Sequence, residues 1–334
     1  MKRKFLFGLL VISIIASLIF LSSCVNEHIH EFGEWSVITE AKCETDGEHI
    51  RNCKCGEKET ESIPAIGHNY SDGVCINCNA YESSPDEYFI FTELEDGTYS
   101  IKVADHYTIS GRIVVPSEYN NKPVTKIETS GFGFCAKITE IIIPESIKLI
   151  DTVAFSGCSS LVKITLPKGI TEIPTACFAD CRELIEIVLP DGITKIGHSA
   201  FINCTKLKSV IIGEGLKIID DWAFKGCLSL ESINIPDGTE SIGMSCFESA
   251  SLREIRIPDS VKVIGDEAFF GIYMLQKVYL GSGITQICKK AFYLCPNISD
   301  VYFSGNEENW TNIIMREGNE DLTSATLHLV YKDE

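Results

Sequence analysis

The chain has 334 residues, 45% of them hydrophobic, with 47 acidic against 29 basic side chains and a formal charge of −18. That length and apolar content suffice for one large or two ordinary folded units and exclude disorder as the main state. An acidic surface without any basic stripe repels phosphate backbones, which argues against a nucleic-acid partner.

The first 24 residues, MKRKFLFGLLVISIIASLIFLSSC, combine a basic start, a largely apolar run from Phe5 to Leu21 and small residues before Cys24. This is the order of an export signal, and the run is shorter than the ~20 apolar residues a membrane span needs. The LSSC stretch resembles the lipobox of bacterial lipoproteins. That resemblance implies a signal peptide over residues 1–23, cleavage before Cys24 and lipidation of its sulfur, with the mature chain anchored outside the cytoplasm. Acyl chains contribute about 0.8 kcal/mol per buried methylene, so more than one chain holds a protein to a membrane without a span. Removal of Lys2, Arg3 and Lys4 takes the charge from −18 to −21.

Residues 24–85 read as a separate small module, rich in cysteine and histidine and poor in aliphatic side chains. Its spacing is Cys43, then Cys53-Lys-Cys55-Gly56, then Cys75-Ile-Asn-Cys78, with HEF at 30–32 echoed by HNY at 68–70. A segment this short without an aliphatic core needs staples, either disulfides or a metal. Cys53, Cys55, Cys75 and Cys78 can offer four thiolates to a tetrahedral structural zinc, and the module resembles zinc-ribbon-like segments at the N-termini of bacterial surface proteins. Its first pair lacks one residue of the usual C-x-x-C-G knuckle. Cys43 is left over, and His30 or His68 could replace a sulfur. Nothing marks an open coordination position or a general base, so a catalytic metal is not expected.

From residue 86 onward the chain repeats. Phenylalanines stand at 132, 155, 178, 201, 224, 247, 269 and 292, spaced by 23 residues except for one step of 22. Around each runs one sentence, L-x-x-I-x-I-P-x-x-[VI]-x-x-I-G-x-x-A-F-x-x-C, clearest as LESINIPDGTESIGMSCF at 230–247. A strand stops at the proline, which cannot donate to a ladder; a turn, a second short extended piece and one helical turn at the phenylalanine follow. One such coil cannot bury its aliphatic face alone, so about eight stack into a mostly β solenoid at ~4.8 Å per coil. These residues resemble the BspA-like leucine-rich repeat family of bacterial surface proteins. The expected division is an N-terminal cap and partial repeat over 86–130, repeats over 131–303 and a C-terminal cap over 304–334, with Trp310 as a cap anchor.

The cysteine three places after each phenylalanine recurs at 135, 158, 181, 204, 227 and 295, with Ala250 and Ile272 in the remaining copies. A nucleophile would occur once beside a base, and metal ligands would gather at one depth. A residue repeated at one place in every coil is a core ladder, and buried cysteine behaves as a small hydrophobe with a weak donor.

No enzyme motif is present, and His198 and His328 read as isolated surface or cap residues. The family resemblance implies protein-protein binding or adhesion, to host matrix proteins or other cells, with an extracellular protein or carbohydrate as ligand. The alternatives are a structural or metal-scavenging envelope lipoprotein acting through the Cys-rich module, and an enzyme acting on wall glycans through paired carboxylates. In each strand the residue between the last two aliphatics points away from the core, giving an expected row on the inner sheet: Ile142, Thr165, Val188, Ile211, Asn234, Arg256, Tyr279 and Tyr302. Its second half, Asn234, Arg256, Tyr279 and Tyr302, holds residue types enriched in binding hot spots and is the candidate binding surface.

Overall fold

The structure is a computed structural model that describes residues 30–71, 74–78 and 81–330. Cys24 and the signal-like segment lie outside the described residues. The chain divides between Ala80 and Tyr81 into two units. The boundary falls ahead of Pro85 because the Arg112 guanidinium covers the Tyr81 ring at 4.9 Å and the Ser84 hydroxyl accepts from the Val114 N–H at 3.0 Å.

In the first unit, Gly47–Asn52 lies between Ser36–Thr39 and Lys58–Ile63 in a three-stranded antiparallel sheet. A second small hairpin pairs Tyr70–Ser71 with Val74–Cys75. Among its described residues the buried hydrophobic side chains are cysteines: Cys43, Cys53 and Cys75. Surface packing is aromatic and cationic, with Trp35 stacked on His49 at 4.1 Å and Arg51 above Trp35 at 4.6 Å. Such a unit has no aliphatic core to offset its ordering entropy.

The second unit is a stack of coils whose neighbours pair in parallel. Ten short parallel strands mark the coils, from Tyr99–Val103 to Ile314–Met315. The expected number was about eight. Two more arise because the N-terminal Tyr99–Val103 pairs parallel with Lys122–Ile127, across a register shift between Val124 and Lys126, and the C-terminal Ile314–Met315 pairs parallel with Gln286–Ile287. The longer strands form a second face in three separate segments.

The repeated phenylalanine explains the stack. All eight are fully buried, and successive rings lie face to face with centroids 4.9 to 5.4 Å apart. Each buries about 1.5–3 kcal/mol of apolar transfer energy, before any gain from ring stacking. The expected helical turn at this position is absent. Residues two before and two after each ring take positive φ, as in Ser245 (47°) and Ser249 (64°) around Phe247, so the chain makes two successive turns instead. Those turns aim N–H groups along the stack rather than back into their own coil. Val153, Phe155 and Gly157 donate to the carbonyls of Thr175, Cys177 and Ala179 in the next coil, at 2.9, 2.9 and 2.7 Å. A left-handed backbone costs non-glycine residues about 1–2 kcal/mol, a cost offset by these inter-coil bonds.

The cysteine ladder has the expected place and a further partner. Cys158, Cys181, Cys204, Cys227 and Cys295 are fully buried, and each thiol donates to the carbonyl of the phenylalanine in the preceding coil at 3.0 to 3.2 Å. Among the described residues every cysteine is a free thiol.

Both ends are closed. At the start, Phe89–Glu93 turns back antiparallel on Tyr99–Val103, and the Phe89 ring meets Phe132 edge-on at 6.3 Å. At the far end, Trp310, on the short helix Glu307–Thr311, packs edge-on against Phe303 at 5.3 Å. The N–H of Phe292 donates to the buried Asn319 side chain at 3.0 Å, where inner coils meet a backbone carbonyl of the next coil, and the Cys295 N–H, whose inner-coil equivalents bond the phenylalanine carbonyl of their own coil, donates to Asp321 at 2.9 Å. The Asn319 side chain thus stands in for a missing carbonyl.

Two outcomes test this packing. Burial raises the ladder thiols above their ordinary value, to about 12 at Cys135 and Cys295, and well above it at Cys181 and Cys204. Below about pH 9 folded and unfolded chains both keep these protons, so the groups do not affect stability. Above it the unfolded chain releases them first, and stability falls by about 1.4 kcal/mol per pH unit for each thiol until the folded value is reached. Denaturant midpoints measured from pH 8 to 11 should therefore fall steeply, and less steeply in Cys181→Ala/Cys204→Ala. Separately, Cys158, Cys181, Cys204 and Cys227 should resist a thiol reagent in the native protein and react after unfolding, as mass spectrometry of the labelled peptides would read.

Candidate functional sites

The strands Glu254–Ile257, Lys277–Leu280, Asp300–Phe303 and Thr326–Leu329 form one parallel sheet. Alternation along EIRI, KVYL and DVYF buries Ile255, Val278 and Val301 and turns the intervening residue outward. Register pairs Arg256 with Tyr279, Tyr279 with Tyr302 and Tyr302 with His328. The Arg256 guanidinium lies 3.8 Å from the Tyr279 ring centre; Tyr279 and Tyr302 stack at 4.8 Å, and Tyr302 and His328 at 4.5 Å. These four groups form one column. Both faces of the Tyr279 and Tyr302 rings are thereby covered by neighbouring groups.

His328, read from sequence as an isolated residue, closes this column. Its Nε2 is 2.8 Å from Asp300 Oδ1, a hydrogen bond that, together with the Ser299 hydroxyl, holds the Asp300 carboxyl below the usual range. TLHL at 326–329 repeats the alternation of DVYF, but 26 residues on from Tyr302 instead of 23, so the repeat period passes it by.

Elsewhere the expected row is interrupted. Strand pairing stops between Lys163–Thr165 and Glu186–Leu189, and again between Ser232–Ile233 and Glu254–Ile257. The second break sits where the period shortens to 22: three steps lead from Cys227 to Leu230, and only two from Ala250 to Leu252. Asn234 consequently falls outside the paired strand and is not in register with Arg256. It joins Arg256 and Tyr279 in another way, along a groove of about 470 Å³ with Asp237, Asp259 and Ser304. Asp259 there accepts from the Ser304 hydroxyl at 2.6 Å and from the Ser282 N–H at 2.7 Å, which lowers its carboxyl below the ordinary range. Between the two breaks the outward residues are aliphatic, Val188 and Ile211, both more than half exposed.

His198 approaches Asp220 and Asp221. These carboxylates are already engaged, Asp220 by Lys195 at 2.9 Å and Asp221 by the Met244 N–H at 2.6 Å.

In the first unit, the seven thiol and imidazole groups singled out from sequence do not form one site. Cys43, His68, Cys75 and Cys78 place one ligand atom each within 4.8 Å of one another; Cys53 and Cys55 gather with His30 in a second group. The reason is the hairpin Gly47–Asn52/Lys58–Ile63. Cys53 and Cys55 lie in its closed turn, whereas Cys43 and His68 flank its open end, joined by Gly67 N–H to Cys43 O at 3.1 Å. Six strand residues separate the ends by about 20 Å. A four-cysteine site of Cys53, Cys55, Cys75 and Cys78 is therefore not assembled.

In the first group Cys43 Sγ is 3.7 Å from Cys75 Sγ, and His68 Nδ1 is 3.3 Å from Cys78 Sγ. His68 Nε2 is 3.0 Å from Glu44 Oε1, and because a carboxylate only accepts, Nε2 carries the proton and Nδ1 faces the sulfurs. Burial and the neighbouring thiols of Cys78 and Cys75 push Cys43 up to about 12. Burial also acts to raise Cys75, but the Asn77 N–H, the His68 ring and further backbone N–H groups outweigh it and bring that thiol down to about 5. Hydrogen bonds with Cys75 and Glu44 raise His68 to about 9.

The family model for the BspA type leucine-rich repeat region matches residues 117–230 and 194–316, in 6 copies. No curated protein matches the chain. Among solved structures, a leucine-rich repeat protein of T. pallidum is 24% identical, over 65% of this chain and 91% of its own, with a TM-score of 0.52, which shows a shared fold. A leucine-rich repeat protein from Bacteroides ovatus ATCC 8483 is 22% identical, over 74% of this chain and 77% of its own, with a TM-score of 0.40. The pneumococcal vaccine antigen PcpA is 17% identical, over 75% and 87%, with a TM-score of 0.35. With the matched repeats spanning more than half of its length, this chain belongs to the BspA type leucine-rich repeat family.

Proposed function

We propose that this protein is displayed outside the cytoplasm, held by a lipid on Cys24, and that its solenoid binds a protein partner through the sheet carrying Arg256, Tyr279, Tyr302 and His328. The stacked column carries this reading. Arginine and tyrosine are the residue types that dominate binding energy in interfaces, and here each is held rigid by its neighbours, which lowers the entropy lost on binding. The groove past Arg256, Asp259 and Asn234 adds polar groups beside the column. A protein suits the surface better than a sugar, because a sugar ring would need a free aromatic face and these faces cover one another. The matched family is one of repeats and not of catalysts, in line with a binding role.

The anchor rests on the sequence before Cys24, which has the charge order and the LSSC stretch of an exported lipoprotein. Among the described residues no helix is long and apolar enough to cross a membrane.

In cells making the full chain, Cys24→Ser should move the protein from the detergent phase to the soluble fraction or leave it uncleaved; unchanged partitioning would remove the anchor. The full chain probed against an array of purified extracellular proteins and glycans should select a protein. Changing Arg256, Tyr279 and Tyr302 together to threonine keeps strand propensity, so the fold should hold while binding weakens by at least ~2 kcal/mol, about 30-fold. Full binding by the folded triple variant would move the site to the turns, the aliphatic half of the sheet or the first unit.

A further inference from the structure

The two cysteine-histidine groups of the first unit are built alike. In the first, His30 and Phe32 stack at 5.8 Å, Phe32 bridges antiparallel to Cys53, and His30 Nδ1 is 3.2 Å from Cys55 Sγ. In the second, His68 and Tyr70 stack at 5.4 Å, Tyr70 pairs antiparallel with Cys75, and His68 Nδ1 is 3.3 Å from Cys78 Sγ. A His-x-aromatic segment is thus laid twice against a close pair of cysteines. The copies differ in one respect: the second receives Cys43, supplied from before the central hairpin, and so counts four ligand atoms where the first counts three.

We propose that Cys43, His68, Cys75 and Cys78 bind one structural zinc ion. Zinc takes thiolate at about 2.3 Å and imidazole nitrogen at about 2.0–2.1 Å, so tetrahedral coordination sets sulfurs about 3.8 Å apart and sulfur from nitrogen about 3.5 Å. Cys43 and Cys75 at 3.7 Å, and His68 Nδ1 and Cys78 at 3.3 Å, are close to those spacings. The His68 ring presents the correct nitrogen. Its other nitrogen donates to Glu44, the carboxylate-histidine arrangement that fixes the tautomer and strengthens the ligand. Four protein ligands leave no open position, so the ion is structural: it supplies the folding energy that the unit, with cysteines as its buried hydrophobics, cannot draw from an aliphatic core.

The test uses the full chain, purified under reducing conditions. The variant Cys53→Ser/Cys55→Ser should contain one zinc per chain by metal analysis, and adding Cys43→Ser and Cys75→Ser to it should abolish binding. Because that loss could follow from unfolding, the unmodified chain provides a second measurement. Loaded with cobalt, it should show an intense thiolate-to-metal charge-transfer band, and a thiol reagent should reach Cys43, Cys75 and Cys78 only after a chelator is added. Glu44→Gln should weaken zinc affinity about 10- to 100-fold while leaving the ligand set intact. A reduced chain that takes up no zinc, or zinc that survives loss of Cys43 and Cys75 but not of Cys53 and Cys55, would overturn the proposal.

Discussion

Every coil of this solenoid leaves polar groups that only another coil can satisfy. From Phe132 to Phe269, the N–H groups two before, at and two after each phenylalanine point along the stack, and their acceptors belong to the next coil. The left-handed residues that aim them are unfavourable in isolation, so a single coil has no stable form. Stacking solves both problems in one step, pairing the backbone while piling the phenylalanine rings at about van der Waals separation. The cysteine ladder belongs to the same arrangement: its thiols give the phenylalanine carbonyls a second, weaker donor from the following coil. Where Ala250 and Ile272 take that place, the backbone bonds remain and the repeat continues.

The same dependence dictates the ends. The last coil must be met by something that imitates a coil, and Asn319 supplies an oxygen to Phe292 where a further carbonyl would have been, while Asp321 accepts from Cys295. Trp310 covers the apolar side through Phe303. At the start a hairpin turned back on Tyr99–Val103 places Phe89 against the first ring of the pile. Caps and coils therefore differ in sequence while meeting the same physical demand.

The solenoid's outward positions are free of that demand, and chemistry accumulates there. Parallel in-register pairing places equivalent residues of neighbouring coils about 4.8 Å apart, the distance at which planar groups stack. Arg256, Tyr279, Tyr302 and His328 become one rigid column for this reason, with no contribution from the core beyond the spacing it imposes. The first unit works by the opposite rule. It has no repeat to lean on, and three thiols and one imidazole are drawn together at the open end of one hairpin.

The 23-residue period, the buried phenylalanine and cysteine ladders, the outward position of Arg256, Tyr279 and Tyr302 and the need for caps were all legible in the sequence. Each follows from periodicity and strand alternation, which are local rules applied many times. Three things required the tertiary structure. Turn geometry at the phenylalanine depended on hydrogen bonds to another coil, so a local helical preference lost to left-handed turns. His328 joined the column, and Asn234 left the ladder, because register is set by coil lengths of 26 and 22 residues at those points rather than by the mean period. The ligand groups of the first unit followed neither the order nor the spacing of the cysteines: a hairpin of six-residue strands carries Cys53 and Cys55 away from Cys75 and Cys78 and brings Cys43 to them, and only the paired chain shows which end of the hairpin each sulfur occupies.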